Sequence, residues 1–315
     1  MRFLLFLCAF AASAAAAQDY PSRPVHVVVP YTPGTGADIL SRVLAPLLAE
    51  RLKAAFVTDN RPGATGNIGA DQVAKSPADG YTLLLTATSF TTNPALKPAP
   101  FDPVRDFAPI ALLATGALGI YVHPGVPAKN MKQFVERVRS QPGKLYYSSP
   151  GNGGPQHLAM ELLKLETGMH IVHVPYKGAG GAITDLVGGH VQAMISALQT
   201  VAPHVHAGRL RMLAVMSAKR AEAFPDVPTL KEAGMPDLEV ETWYAMFAPA
   251  GTPQPIVAQL NASLNQFMRE PAVREVLEKQ GLQPEGGTPQ ALGERVRREL
   301  ERWTRVVKAA NIKAD

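Results

Sequence analysis

The sequence predicts an α/β protein of two lobes, each a largely parallel sheet flanked by helices, and three observations carry that reading. Apolar strand-like runs alternate with helical patterns from residue 25 onward. The same succession begins again near residue 145, and one glycine-bearing loop motif occurs in both halves. Strand–helix–strand units with parallel pairing produce such alternation.

In the first half VHVVV (25–29) reads as a buried strand, 37–53 as a helix, AAFVTDN (54–60) as a strand, 66–75 as a helix and YTLLLTAT (81–88) as a strand. In the second, LYYSS (145–149), a helix over 156–167, MHIVHV (169–174), a helix over 179–188 and VQAMISAL (191–198) retrace that plan. Letters repeat as well as pattern: YTPGTG at Tyr31 to Gly36 returns at Tyr147 to Gly153 as YSSPGNG, with one residue inserted. A second loop follows each, with Gly63 placed 29 residues after Gly34 and Gly178 placed 27 residues after Gly151. Two small lobes of like topology are the simplest account.

YVHPGVPAKN (121–130) and AEAFPDVPTLKEAG (221–234) read as the crossovers between lobes. Helices from about 255 to 268, 272 to 279 and 289 to 310 then complete the first lobe. The expected division is a signal segment over 1–17, lobe 1 over 18–122 plus 225–315, and lobe 2 over 123–224.

The signal segment rests on Arg2 followed by the apolar stretch FLLFLCAFAASAAAA, with Ala15 and Ala17 offering small residues for cleavage. The stretch is too short for a spanning helix, and Gln18-Asp19 ends it, so export to the periplasm is expected. Cys8 is the only cysteine and lies inside that stretch; cleavage leaves no thiol, disulfide or thiolate metal ligand. A lipidated Cys8 is the rival, but Leu7 stands where such signals want a small residue.

With 46% hydrophobic and 18% charged residues the chain is globular in composition. Its formal charge of +5 leans weakly toward anionic ligands. Lysine and arginine are scattered or interleaved with glutamate, as in GERVRRELERWTRVVK, so no nucleic-acid surface is expected.

A glycine-rich turn between strand and helix presents backbone N–H groups and the positive end of the helix dipole to an anion. Tyr31 to Asp38 has neither the Gly-Lys-Ser/Thr ending of a phosphate loop nor the third glycine of a dinucleotide fingerprint. It reads either as a carboxylate site with Thr32 or Thr35 adding a hydroxyl, or as a tight turn with Asp38 compensating the helix. Its echo at Ser148 to His157 favours a paired site, because loops beyond the carboxyl ends of strands in facing lobes share one cleft. Asn60 to Asn67, Thr86 to Thr92, Tyr176 to Gly181 and Ser196 to Thr200 would flank it, with Lys177 either meeting a carboxylate or solvated.

Other chemistries find thin support. Ser149 with His157 as a hydrolase pair lacks the nucleophile elbow, and His157 also reads as a packing residue. His170/His173 and His204/His206 lack a metal-ligand partner set, and Trp243-Tyr244 reads as core or as pocket wall. No cofactor and no metal are expected.

NRPGATGNIGADQVAKSPADGYTLL, NPALKPAPFDPVRDFAPI, YSSPGNGGPQHLAMELL, HVPYKGAGGAITDLVGG and ETWYAMFAPAGTPQPIVAQLN together resemble the extracytoplasmic solute receptors of the tripartite tricarboxylate transporters, the Bug family, over nearly the whole mature length. The resemblance implies a flytrap-like periplasmic binding protein without enzymatic activity, monomeric, delivering an organic acid to integral-membrane transporter subunits. A receptor that signals instead is the alternative, and a periplasmic hydrolase a further one. Carried over, the family's carboxylate-holding positions fall on Thr35, Gly36, Asp38, Thr88, Ser149, Gly153, His157, Lys177, Gly178 and Ser196. Family members commonly show two adjacent glycines where Gly34-Thr35 stands, so Thr35 either narrows the pocket or adds a hydroxyl.

Overall fold

A computed structural model describes residues 20–309 and residue 312; the expected signal segment lies outside the described residues. The first repeat runs β1 (Val25–Val29), α1 (Gly36–Leu52), β2 (Phe56–Asn60), α2 (Asn67–Ala74) and β3 (Thr82–Ala87), followed by α3 (Ser89–Leu96). The second runs β5 (Tyr146–Ser149), α5 (Pro155–Thr167), β6 (Val172–Pro175), α6 (Ala179–Val187) and β7 (Ala193–Ala197), followed by α7 (Leu198–His206). In each, the first strand pairs in parallel with the other two, giving the orders β2-β1-β3 and β6-β5-β7. The duplicated letters thus fold into duplicated topology.

Between the repeats run β4 (Phe107–Val122), which has 16 residues, and α4 (Met131–Ser140). The remaining elements are β8 (Arg211–Val215), β9 (Glu241–Pro249), α8 (Gln254–Phe267), α9 (Pro271–Lys279), β10 (Leu282–Pro284) and α10 (Pro289–Ala309). β4 belongs to both lobes. From Phe107 to Ala117 it pairs antiparallel with β9, which in turn pairs with β3; from Leu118 to Val122 it pairs antiparallel with β7 and β8. The parallel strands are therefore joined to the other lobe through antiparallel neighbours, and the change of partner occurs between Ala117 and Leu118. The chain returns through residues 216–240, where Leu230 and Val240 pack in the second lobe's core, and enters lobe 1 with β9.

Alternation along the central strands sends side chains to two faces and so calls for helices on both. In lobe 1 Val25, Val27, Val29, Leu83 and Leu85 meet Leu40, Leu44 and Leu48 of α1 and Leu260 and Leu264 of α8. On the opposite face Val28, Leu84, Trp243 and Phe247 meet Phe90 of α3 and Leu292 and Val296 of α10. Lobe 2 repeats the arrangement, with α4 and α5 on one face and α6 and α7 on the other. Trp303 carries the far end of α10 into the second lobe's core, a second tie beside β4. Among the described residues no helix is long and apolar enough to cross a membrane.

Candidate functional site

A cavity of about 720 Å³ lies between the lobes at the carboxyl ends of the parallel strands, the position that open α/β sheets use for ligands. Helix N-termini converge on it from both sides. Thr35-Gly36 of α1, Gly66 before α2 and Ser89 of α3 line it from lobe 1; Pro155 of α5, Gly178-Ala179 of α6 and Ala197 before α7 line it from lobe 2. None of these helix ends has a side-chain cap bonded to its N–H groups. The first N–H groups of a helix have no intrahelical partner, so these ends bring donors and the positive end of a dipole to one space; α2 brings the dipole alone, its Asn67 and Ile68 amides bonding to the Ala64 and Gly63 carbonyls, and Pro155 at the start of α5 has no N–H of its own.

The β1–α1 loop is clamped from behind. Asp38, 3% exposed, accepts from the Gly34 amide at 2.9 Å, from Arg42 Nε at 3.0 Å and from Asn60 Nδ2 at 3.0 Å. Burial alone would raise its carboxyl; the bonds from Arg42, Gly34 and Asn60 outweigh that and hold it below the usual aspartate range. Asn60 Nδ2 also donates to the Tyr31 carbonyl, at 3.1 Å. The side chain of Asp38 is therefore spent on the loop and does not line the cavity. Thr35 lines it, but its hydroxyl donates to the Thr32 carbonyl at 3.0 Å, which leaves that oxygen an acceptor toward the cavity.

Tyr31, a wall residue absent from the expected set, shares hydrogen bonds with Thr86 Oγ1 at 2.9 Å and Ser89 Oγ at 2.6 Å and accepts from the Ala87 amide at 3.0 Å. Burial pushes its hydroxyl up, against the lowering effect of those bonds, so the ring presents a neutral group. Thr88 is fully buried behind this wall, where its Oγ1 accepts from the Trp243 amide at 2.8 Å.

The second-lobe loop is held by a stack of three rings. His173 stacks on His157 with centroids 4.1 Å apart and on Tyr147 at 4.8 Å. Ser149 Oγ lies 2.7 Å from His173 Nε2 and bonds to both the amide and the carbonyl of Gly151, while His157 Nδ1 accepts from the Gly153 amide at 3.2 Å. The Ser149/His157 pairing weighed for a hydrolase is thus replaced by Ser149/His173, because the stack turns His157 toward Gly153. Ser149 and His157 are buried and border the loop rather than the cavity. Gly153 has φ +77°, and a Cβ there would come within 2.8 Å of Asn93 Oδ1 in lobe 1.

Of the expected residues, Thr35, Gly36, Lys177, Gly178 and Ser196 line the cavity, while Asp38, Thr88, Ser149, Gly153 and His157 hold the loops behind it. From the stretches expected to form or flank the site, Tyr31, Thr65, Ser89, Asn152 and Tyr176 also line the wall, as does Tyr244; Lys97 lies outside every expected stretch. Trp243 and Tyr244 divide: Trp243 faces the core and Tyr244 the cavity, as neighbours on a strand must. Across the cleft Gln199 Nε2 donates to the Tyr244 hydroxyl at 2.7 Å and Thr65 Oγ1 to the Asn152 carbonyl at 3.0 Å. Tyr176 donates to Asp185; burial, then that carboxylate, pushes its hydroxyl up to about 12.

A family model described as "Tripartite tricarboxylate transporter family receptor" matches residues 40–312. Protein BugT of Bordetella pertussis is 36% identical over 305 residues, 96% of this chain and 94% of BugT. Rpa4515 of R. palustris, solved with adipate, is 38% identical with a TM-score of 0.90, covering 94% of this chain and 99% of that one. MatC from Rhodopseudomonas palustris, solved with bound malate, is 32% identical with a TM-score of 0.86, covering 91% and 100%. Matched along nearly its whole length, the chain belongs to the tripartite tricarboxylate transporter receptor family, the Bug-type periplasmic solute receptors.

Proposed function

We propose that the protein captures a small organic acid in the interlobe cavity and delivers it to the integral-membrane subunits of a tripartite transporter, acting as a binding protein and not as an enzyme. One observation carries the reading: uncapped helix N-termini from both lobes meet at a single cavity. A carboxylate is acceptor-only when ionised, so it answers an array of backbone N–H donors. Donors contributed by both lobes make the closed arrangement bind the acid better than an open one, and ligand then shifts the balance toward closure. The solved relatives hold adipate and malate, which suits the same acid class.

A non-catalytic role is supported by the engagement of Ser149 with His173 and Gly151 away from the cavity wall. Thermal-shift measurement against a panel of organic acids tests the reading. An acid present at 100 times its dissociation constant raises stability by about 2.7 kcal/mol. No rise with any acid, or consumption of the acid in the same mixtures, contradicts it.

A further inference from the structure

The turn between β2 and α2 carries backbone strain. Gly63 and Gly66 sit at φ +140° and +99°, and between them Ala64 and Thr65 are left-handed too, at φ +46° and +55°. In that conformation an L-residue crowds its Cβ against the neighbouring carbonyl, and a β-branched threonine suffers most. Lys53, also left-handed, ends α1 in the ordinary helix-terminating way, whereas Ala64 and Thr65 terminate no helix. Such strain persists only where surrounding contacts impose it. Here Asn93 of α3, fully buried, donates from Nδ2 to the Ala64 carbonyl at 3.0 Å, and Thr65 Oγ1 donates to the Asn152 carbonyl. The first bond lies within lobe 1; the second reaches into lobe 2.

The turn meets backbone there that is bare of side chains. A Cβ at Gly151 would stand 2.7 Å from Thr65 Oγ1, and one at Gly154 would stand 3.4 Å from Thr65 Cγ2. With Gly153 against Asn93 Oδ1, the β5–α5 loop rests on a seat made by Thr65 and Asn93, and its glycines permit that approach. Ser149 and His157 hold the same loop from behind, so it moves with lobe 2. Asn93 does not line the cavity, and the Thr65 hydroxyl proton is directed to Asn152.

Resting on the capture reading above, we infer that Thr65 is a positioning residue that latches the lobes: its left-handed turn, braced by Asn93, holds the loop 151–154 while the cleft is shut and slows release of the enclosed acid. The bond joins residues of different lobes and breaks when they part, so it shifts the open–closed balance without choosing the ligand. A contact of that kind lengthens the residence time of every acid by one factor, whereas the cavity wall decides which acid fits.

Stopped-flow fluorescence of the mature protein with adipate, malate and a panel of other small organic acids tests this. Thr65→Val keeps the β-branched shape and removes the hydroxyl. Dissociation of each binding acid should then speed up by about fivefold, the scale of one hydrogen bond, by the same factor for all, with association unchanged within about twofold. Thr65→Ser keeps release within about twofold of the parent protein, and Asn93→Ala speeds it as Thr65→Val does. Release unmoved by Thr65→Val, or an effect that differs from acid to acid, overturns the latch while leaving acid capture in place. Failure of every acid to bind overturns both.

Discussion

Gln199 donates from Nε2 to the hydroxyl of Tyr244 at 2.7 Å, and both side chains are buried where lobe 2 meets lobe 1. This bond lies directly over Gly36. A Cβ at Gly36 would stand 2.4 Å from the Tyr244 hydroxyl and 2.6 Å from Gln199 Nε2.

Gly36→Ala tests this contact. The added methyl meets two buried side chains, so the ligand-free protein should lose about 1–3 kcal/mol of stability, the scale of overpacking. The methyl group displaces Tyr244 and Gln199, and acid affinity should drop at least about tenfold, or about 1.4 kcal/mol, by titration calorimetry. Unchanged affinity would show that this contact is not needed for closure.

Asp38→Asn should loosen the β1–α1 loop and cost about 1.5–3 kcal/mol at neutral pH, the scale of hydrogen bonds to a charged group. Since the folded-state carboxyl is held below its ordinary value, its contribution is complete above about pH 5 and is lost as acid titrates it through the unfolded and then the folded value. Urea denaturation of the two proteins should give a constant gap from pH 7 to about 5 that closes at lower pH. A gap that widens with acid contradicts the clamp.

Phe90→Ala probes how α3 is anchored. Phe90 is 2% exposed, with Phe247, Phe107 and Phe101 at centroid distances of 4.8, 5.0 and 5.6 Å. Loss of about 3–5 kcal/mol of stability is expected by chemical denaturation. Because Ser89 and Lys97 stand at the two ends of that helix, acid affinity should fall with it.

Ser149→Ala distinguishes loop support from catalysis. Removing Oγ deletes the bonds to His173 and Gly151 and should weaken acid binding a few-fold, an amount matching about one hydrogen bond. Loss of an acid-consuming activity on this substitution would restore the hydrolase alternative.

The duplicated plan is readable because each repeat contains its own strand, loop and helix, and the β2-β1-β3 order returns as β6-β5-β7. β4 is harder to see: FAPIALLATGALGIYV is apolar on both faces and holds Pro109, Gly116 and Gly119, so no period marks it as a strand shared by two sheets. α3 hides for another reason. Its SFTTNPAL carries three residues of low helix propensity, Thr91, Thr92 and Pro94, and its place is set by packing of Phe90. α4 carries a plain signal outside the repeated plan, the Asn130 cap followed by apolar Met131, Phe134, Val135 and Val138.

In the site, motif spacing reaches the loops but not the division of labour within them. Asp38 and Thr35 lie three residues apart, yet one faces Arg42 and Asn60 and the other the cavity, a difference decided by β2 bringing Asn60 alongside. Tyr31 and Tyr244 acquire their roles from partners 55 to 58 and 45 residues away, respectively, which local pattern cannot indicate.

Amide NMR of the isotopically labelled mature protein tests the central claim, acid capture by donors from both lobes, most directly. On addition of a binding organic acid, the signals of Gly36 and Ala37 in lobe 1 and of Ala179 and Gly180 in lobe 2 should shift together, with one shared dissociation constant. Shifts confined to a single lobe, or binding that leaves all four amides unmoved, would contradict it.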